Sequence, residues 1–173
     1  DIALRFNATF GDLLVVPEHR IPEVGARIMD LQQPEGKMST TGSEERGLVY
    51  VDDDEAAILK KVRSAVTDSG SEVRRAADKP GISNLIDILA VIRAIPTQQV
   101  EREFEGQGYG AFKGAVAEAV VEYLRPVRER YGELRADEDA LETVLAEGAR
   151  RARALATETL SEVRKAMGVG PPA

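Results

Sequence analysis

The segment Lys37-Met38-Ser39-Thr40-Thr41-Gly42-Ser43 is the most informative part of this sequence. It follows an apolar run at residues 24–29 and combines one lysine with a series of hydroxyl side chains. An ammonium group, hydroxyl groups and the backbone N–H groups near a glycine can all point at a polyanion. The segment therefore predicts a phosphate-binding loop. An exposed polar loop without a ligand is the alternative, because similar strings are common in solvated turns.

Further blocks of sequence lie on both sides of this segment. The block before it, residues 17–31, ends in Gly25-Ala26-Arg27-Ile28-Met29-Asp30-Leu31. The blocks after it are Lys60-Lys61, Ser64-Ala65-Val66-Thr67-Asp68, Lys79-Pro80-Gly81-Ile82-Ser83-Asn84-Leu85, residues 104–113, Leu124-Arg125-Pro126 and Arg130-Tyr131. In this order the blocks resemble the bacterial tryptophanyl-tRNA synthetases, which are class I enzymes. In that family the loop reads Lys-Met-Ser-Lys-Ser.

The resemblance implies a reaction and a place for this chain within the enzyme. The family activates tryptophan with ATP, releases pyrophosphate, and transfers the amino acid from the adenylate to tRNA(Trp). The chain corresponds to the C-terminal portion of such an enzyme, which is expected to be a homodimer at full length. ATP, accompanied by Mg²⁺, would be a substrate, and no tightly bound cofactor or resident metal is expected.

Site residues follow from the same resemblance. Ile28 would lie beside the adenine, and Lys37, Met38, Ser39, Thr40 and Thr41 would close over the phosphates. Lys37 is the predicted catalytic residue, because a preorganised ammonium stabilises the charge that grows on departing pyrophosphate.

The loop departs from the family pattern at two positions. Thr40 replaces the second lysine and Thr41 replaces the last serine. A threonine hydroxyl donates a neutral hydrogen bond and supplies no charge. Three consequences are open: Lys37 carries more of the stabilisation, another cation enters, or the activation step is slower. Lys60 and Lys61 are candidates for the other cation, although a helix-surface role is the preferred interpretation for both.

Basic and aromatic residues of the second half are candidates for RNA contact. The predicted tRNA-binding residues are Lys113, Arg125, Arg128 and Arg130. Single-stranded bases are read by stacking and by hydrogen bonds to their edges, so Tyr109, Phe112 and Tyr123 are possible platforms. Core packing is the preferred interpretation for Phe112 and Tyr123, which share a helical face with residues 116, 120 and 127.

Charge and composition limit the kinds of partner. The 173 residues carry a net charge of −7, no cysteine and one histidine. A negative surplus disfavours general affinity for nucleic acid, DNA included, so any RNA contact must be local. Disulfides and thiolate metal sites are excluded, and an imidazole metal cluster is disfavoured. We expect no membrane anchor and a cytoplasmic location, because no apolar run approaches the roughly 20 residues that span a bilayer.

The predicted fold is mainly α. The first residues read as the end of a helix closed at Asn7, and short apolar runs at 13–16 and 26–29 predict strands. Two short strands do not form a stable sheet, so we expect the rest of the sheet upstream of Asp1 and interpret the chain as a fragment. With residues 48–51 as a further ordered segment, this part corresponds to the end of a Rossmann-like α/β nucleotide-binding domain with two or three short strands.

Helices follow these runs. Carboxylates at 52–55 suit the start of a helix that reaches about Val66, and capping is preferred there to a Mg²⁺ site. Ser83 is the expected cap of a central helix, and a short helix near Phe104 and a glycine-rich turn precede a helix that Pro126 should kink or restart. A long amphipathic helix runs from Asp137 to Gly168, before a tail at 170–172.

The predicted domains are therefore three. Residues 1–66 end the catalytic domain and include the signature loop, residues 35–47. Residues 67–136 form a helical domain that binds the tRNA anticodon, and residues 137–173 form a C-terminal helix that returns towards the catalytic domain.

Two other functions remain open at this stage. One is a non-catalytic helical module that binds RNA or protein through a degenerate loop, which Thr40 and the negative charge favour. The other is a tyrosyl-specific relative of the same architecture. The amino-acid pocket is expected upstream of Asp1, so we also predict that this polypeptide alone does not activate tryptophan.

Overall fold

The periodic apolar patterns of the sequence form six α-helices in the part of the chain that the structure, a computed structural model, describes (residues 1–170). The helices are α1 (Ile2–Phe10), α2 (Glu55–Arg63), α3 (Pro80–Arg93), α4 (Thr97–Glu103), α5 (Gly108–Arg135) and α6 (Glu138–Ala166). A 3₁₀ turn occupies Glu45–Gly47. The mainly helical fold class is thus confirmed. The end of the predicted tail, residues 171–172, and residue 173 lie outside the described residues.

Acidic side chains start two of these helices, as the sequence predicts for the first. The Ala57 N–H donates to Asp54 Oδ1 at 2.7 Å, and the Ala140 N–H donates to Asp137 Oδ1 at 2.9 Å. Each carboxylate satisfies a donor that the first turn leaves without a helical partner. Asp53, next to the first cap, instead pairs with Lys61 of α2 at 2.7 Å. Within residues 1–170, no three His, Asp or Glu side chains are grouped as metal ligands.

The hydrophobic core lies among α2, α3, α4 and α5. Phe112 is fully buried and packs edge-on against Phe104, with 5.1 Å between the ring centroids. The largest fully buried side chains are Phe112, Leu31, Ile58, Ile82, Leu85, Ile86, Leu89, Val62, Val100 and Val116. Four of these come from α3, which confirms its prediction as the central helix.

The predicted strands do not form. Residues 13–16 and 26–29 are irregular, as are residues 48–51, and strand-like pairing within residues 1–170 is limited to one antiparallel bridge between Met29 and Lys37. A strand needs a partner for its backbone N–H and C=O groups, and the described chain offers these runs only that bridge. The short apolar segments are therefore extended coil, and the predicted Rossmann-like strand end is not seen.

Two predicted helix boundaries were also wrong. Helix α1 continues past Asn7 to Phe10. The Asn7 side chain exchanges two hydrogen bonds with the backbone of Leu14, and Gly11, with a positive φ of 95°, follows the last helical residue. Helix α3 begins before Ser83, at Pro80, a residue suited to the first helical turn.

Pro126 lies within one continuous helix, α5, and does not restart it. The Val121 carbonyl, in the turn before Pro126, accepts a hydrogen bond from the side chain of Arg128, in the turn after it. Tyr123 of the same helix is 56% exposed, so its predicted place in the core was wrong.

Two compact units make up the chain. One is Ile21–Gly132, which contains the core and the signature loop, and the other combines Asp1–Arg20 with Glu133–Ala173. In the second unit, α6 carries its predicted apolar stripe but buries none of it, and Leu155 is 82% exposed. None of the helices within residues 1–170 has the length and apolarity needed to cross a bilayer.

Candidate functional site

A short hairpin supports the signature loop. The Met38 N–H donates to the Ile28 carbonyl at 2.9 Å, and the Asp30 N–H donates to the Gly36 carbonyl at 2.9 Å. These hydrogen bonds flank the bridge between Met29 and Lys37. Ile28 and Met38, predicted from the sequence to contact the same nucleotide, are thereby brought side by side.

The loop beyond the hairpin is closed by its own hydroxyl groups. The Ser39 N–H donates to Ser43 Oγ at 3.1 Å, and the Ser43 N–H donates to the Ser39 carbonyl at 3.0 Å. The hydroxyls of Ser39 and Thr41 lie 3.1 Å apart and hydrogen-bond each other. Lys37 and Thr40 have exposed side chains. In this conformation the loop presents an ammonium to solvent while two of its predicted phosphate ligands satisfy one another.

A buried carboxylate that the sequence analysis missed lies at the base of the loop. Asp30 is 3% exposed, and its Oδ1 accepts the N–H groups of Gln32 at 2.7 Å and Gln33 at 2.9 Å. Burial would raise the pKa of Asp30, but hydrogen bonds from the Ser43 hydroxyl and these two N–H groups outweigh it and hold the pKa below its usual value. A side chain at Gly47 would overlap this carboxylate. The Asp30 carboxylate therefore ties Ser43 of the loop to the turn at residues 32 and 33 that precedes it.

An apolar pocket of about 230 Å³ lies beside the hairpin. Ile28 and Met38 contribute to its wall, together with Leu31, Val49, Val51, Val62, Ile88, Val91, Ile92, Val120, Tyr123 and Leu124. Two of the predicted ATP-binding residues thus share one apolar surface. The half-exposed Tyr123 contributes to this pocket and not to the core.

Two lysines on α2 are candidate substitutes for the family's second loop lysine, and only one of them has an exposed side chain. Lys61 is buried, donates to both oxygens of Asp53 at 2.7 and 2.9 Å, and lies 5.0 Å from the centre of the Tyr50 ring. Lys60 is exposed. The Lys61 ammonium is therefore engaged in fixing the segment after the loop to α2.

The predicted RNA-contacting cations all lie on α5 but have different surroundings. Lys113 donates to the Ala65 carbonyl at 2.8 Å, and burial lowers its pKa despite the attraction of Asp68. Arg125 is exposed and pairs with Glu122, one turn earlier. The Arg128 side chain donates a hydrogen bond to the Val121 carbonyl, and Arg130 is exposed. Arg125 and Arg130 are thus the more accessible of the four.

A second polar cluster ties residues 68–79 to the start of α5. The Tyr109 hydroxyl donates to Asp68 at 2.7 Å, and Lys79 Nζ lies 3.1 Å from Asp68 and 2.9 Å from the Tyr109 oxygen. Burial would raise the pKa of Asp68, but hydrogen bonds from Tyr109, the Gly70 N–H and Lys79 lower it to about 2. Tyr109, considered from the sequence as a stacking platform, has its hydroxyl committed to this cluster.

Comparison with known families identifies the chain. The family model for tRNA synthetases class I (W and Y) matches residues 1–125. The chain belongs to this family. The family resemblance predicted from the loop and its flanking blocks is thus confirmed.

Two curated relatives of similar sequence are tryptophan–tRNA ligases. The chain is 42% identical over 171 residues to the tryptophan–tRNA ligase of Halalkalibacterium halodurans, which covers 98% of this chain and 52% of that protein. It is 43% identical over 172 residues to the tryptophan–tRNA ligase of Mycobacterium leprae, covering 99% of this chain and 50% of that protein. The chain spans about half the length of the curated relatives it matches.

Solved structures agree with this assignment. Tryptophanyl-tRNA synthetase from Mycoplasma pneumoniae superposes with a TM-score of 0.83 at 29% identity, over 98% of this chain and 51% of that structure. The Campylobacter jejuni enzyme, solved in complex with ADP and tryptophan, superposes with a TM-score of 0.61 at 26% identity, over 96% and 51%.

Proposed function

We propose that this chain supplies the C-terminal half of a tryptophan–tRNA ligase and contributes the mobile loop that closes over the phosphates of ATP. The observation that carries this proposal is the hairpin, in which Ile28, Lys37 and Met38 converge from two sides of a tight turn. The identity to tryptophan–tRNA ligases over nearly the whole chain supports it. Tryptophan, ATP with Mg²⁺ and tRNA(Trp) are then the substrates.

The reaction assigns Lys37 its role. The tryptophan carboxylate attacks the α-phosphorus of ATP, a bond to the bridging oxygen breaks, and pyrophosphate leaves with added negative charge. An ammonium held near that oxygen stabilises the transition state more than the ground state. Lys37 is exposed at the start of the loop and can reach a phosphate when the loop closes.

Loop closure requires the hydroxyl network to rearrange. Ser39 and Thr41 bond to each other in this structure, so each must exchange that partner for a phosphate oxygen. Hydrogen bonds from the Asp30 N–H to the Gly36 carbonyl and from the Leu31 N–H to the Gly47 carbonyl hold the two ends of the loop while residues 39–42 move. Thr40 is exposed and offers a neutral donor where the family has a lysine, so more of the electrostatic stabilisation falls on Lys37.

The apolar surface formed by Ile28 and Met38 is proposed to contact the adenine. A flat aromatic base gains free energy when its faces leave water for such a surface. The phosphates would then extend from this surface towards Lys37, which immediately precedes Met38. The proposed phosphate-contacting residue, Lys37, and the proposed adenine-contacting residue, Met38, are therefore consecutive in the chain.

Helix α5 is the proposed tRNA-binding element. Arg125 and Arg130 are exposed cations in a chain that is negative as a whole, which suits a local contact with a phosphate backbone. Lys113 and Arg128 belong to the same proposed surface, although both also bond to backbone carbonyls. The full-length enzyme is proposed to act as a homodimer in the cytoplasm.

The test is tryptophan-dependent ATP–pyrophosphate exchange by the chain alone and after addition of a polypeptide that supplies the other half of the ligase. We expect exchange only with the complement. Exchange by the chain alone would contradict the proposed division of the active site. A folded, tRNA-binding chain that stays inactive with its complement would favour a non-catalytic RNA-binding module.

A further inference from the structure

Asn84 makes an unusual pair of hydrogen bonds to the hairpin. The Met29 N–H donates to Asn84 Oδ1 at 2.9 Å, and Asn84 Nδ2 donates to the Met29 carbonyl at 2.9 Å. Asn84 belongs to α3, is 4% exposed, and lies among the core residues Ile82, Leu85 and Ile86. One side-chain amide thus satisfies both polar backbone groups of a residue far away in sequence.

The geometry of the hairpin explains why Met29 needs such a partner. Its bridge to Lys37 is flanked by the hydrogen bonds from Met38 to Ile28 and from Asp30 to Gly36. In an antiparallel pair, residues between two such bonds point their own N–H and C=O away from the partner strand. Asn84 stands at that outer edge and takes the place that a neighbouring strand would occupy.

We infer that Asn84 is a positioning residue that fixes the base of the signature loop, so that helix α3 sets the place of Lys37 through Met29. Met29 lies directly opposite Lys37 in the bridge, and a displacement of one backbone moves the other. The catalytic part of this inference rests on the proposed function of the loop.

The anchoring is separate from the other contacts of the loop. Asp30 binds residues 32, 33 and 43, and the Leu31 carbonyl accepts the Val66 N–H at 2.7 Å. Those contacts hold the segment that follows Met29. Asn84 instead binds Met29, the residue that is bridged to Lys37. Loss of the Asn84 amide should therefore change the position of Lys37 while the hydrogen bonds of Asp30 remain.

The neighbouring residue provides a matched control. The Ser83 hydroxyl also forms a pair of hydrogen bonds to one backbone, accepting from the Ala76 N–H and donating to the Ala76 carbonyl, both at 3.0 Å. Ser83→Ala removes a comparable pair from the same helix without touching the hairpin. Asn84→Leu removes both bonds to Met29 at similar volume, and Asn84→Asp keeps an acceptor for the N–H but places a negative oxygen against the carbonyl.

Backbone amide exchange tests the anchoring on the chain itself. Asn84→Leu should speed exchange of the Met29 and Met38 amides about tenfold or more while the α3 core amides keep their protection, because one lost hydrogen bond is worth about this factor. Ser83→Ala should leave Met29 and Met38 unchanged. Should Asn84→Leu fail to fold, Asn84→Ala removes the same two hydrogen bonds to Met29 with a smaller side chain and gives the same comparison. Equal protection of Met29 in the variant and the parent chain would overturn the anchoring.

Steady-state kinetics of the complete ligase test the catalytic consequence. In ATP–pyrophosphate exchange, Asn84→Leu and Asn84→Asp should each raise the KM for ATP and lower kcat. The combined loss in kcat/KM for ATP should be about tenfold or more, and the KM for tryptophan should stay unchanged. A variant with a loosened Met29 but parental ATP kinetics would overturn the coupling to Lys37. Inactivity of the parent ligase would refute the proposed function and with it the coupling, whereas the exchange rates of Met29 would still decide the anchoring.

Discussion

Three donors converge on the carboxylate of Asp68: the Tyr109 hydroxyl, the Gly70 N–H and the Lys79 ammonium. Hydrogen bonds to the charged form favour ionisation, which is why the pKa of Asp68 falls to about 2 although burial opposes it. Residues that are separated in sequence thus depend on a single ionised group, and its charge state should be visible in the stability of the protein.

The first prediction concerns acid stability. Because the pKa of Asp68 is lower in the folded chain than its usual 3.8, its contribution is complete above about pH 4 and is lost as the pH falls towards about 2. Asp68→Asn should therefore be less stable than the parent at pH 7, with a difference that shrinks between pH 4 and pH 2. Urea unfolding at several pH values measures this. A difference that is constant with pH would show that the charge of Asp68 is unimportant.

The second prediction concerns RNA binding by Arg125. In the complete ligase, Arg125→Ala should weaken tRNA(Trp) binding and reduce the slope of log K against log salt by about one, as expected for one lost phosphate contact. Glu122→Ala is the matched control, since it removes only the carboxylate that pairs with Arg125 and should leave binding equal or tighter. Identical salt slopes for Arg125→Ala and the parent would remove Arg125 from the proposed surface.

The sequence identified the residues of the loop but not those that hold it. Lys37, Met38 and Ile28 could be named because they lie in contiguous blocks. Asp30 and Asn84 were missed because their roles depend on tertiary contacts, and Asn84 reaches a residue 55 positions away. A signal for Asn84 exists, namely a polar amide among the apolar residues of a buried helix, where an unpaired polar group would be costly.

At the scale of elements, helices were predicted better than strands. Helix formation depends on local hydrogen bonds, so the apolar spacing of α3, α5 and α6 was enough to locate them. The runs at 13–16 and 26–29 have strand-like composition, but a strand is defined by its partner, and here α3 provides that partner for Met29 through a side chain. Local pattern alone could not reveal this substitution.

The third prediction concerns the close approach of α3 to the segment after α2. A methyl group at Gly81 would overlap the Val66 carbonyl oxygen, which is backbone and cannot turn away. Gly81→Ala should destabilise the chain by about 1–3 kcal/mol. Gly114→Ala on α5, where the new methyl meets open space, should instead stabilise it by about 0.5–1 kcal/mol. Urea unfolding of the two variants compares them, and a neutral Gly81→Ala would contradict this packing.

At the scale of the whole molecule, the chain is about half of its relatives in length, and one of its two units places the signature loop on a helical core. The proposed catalytic residue, Lys37, is exposed on that unit. Its other catalytic partners would come from the remaining half of the ligase. The predicted domain limits at residues 66 and 136 stay predictions. The compact units of the structure have other limits, and residues 21–132 form one of them.

The central claim is that Lys37 acts on the phosphates of ATP, and single-turnover formation of tryptophanyl adenylate by the complete ligase tests it most directly. Lys37→Ala should slow this step by about 100-fold or more, equivalent to about 3 kcal/mol, while the affinity for tRNA(Trp) stays unchanged. Arg63→Ala, which removes an exposed cation from α2, is the control and should retain the parental rate. Parental rates of adenylate formation in Lys37→Ala would contradict the claim.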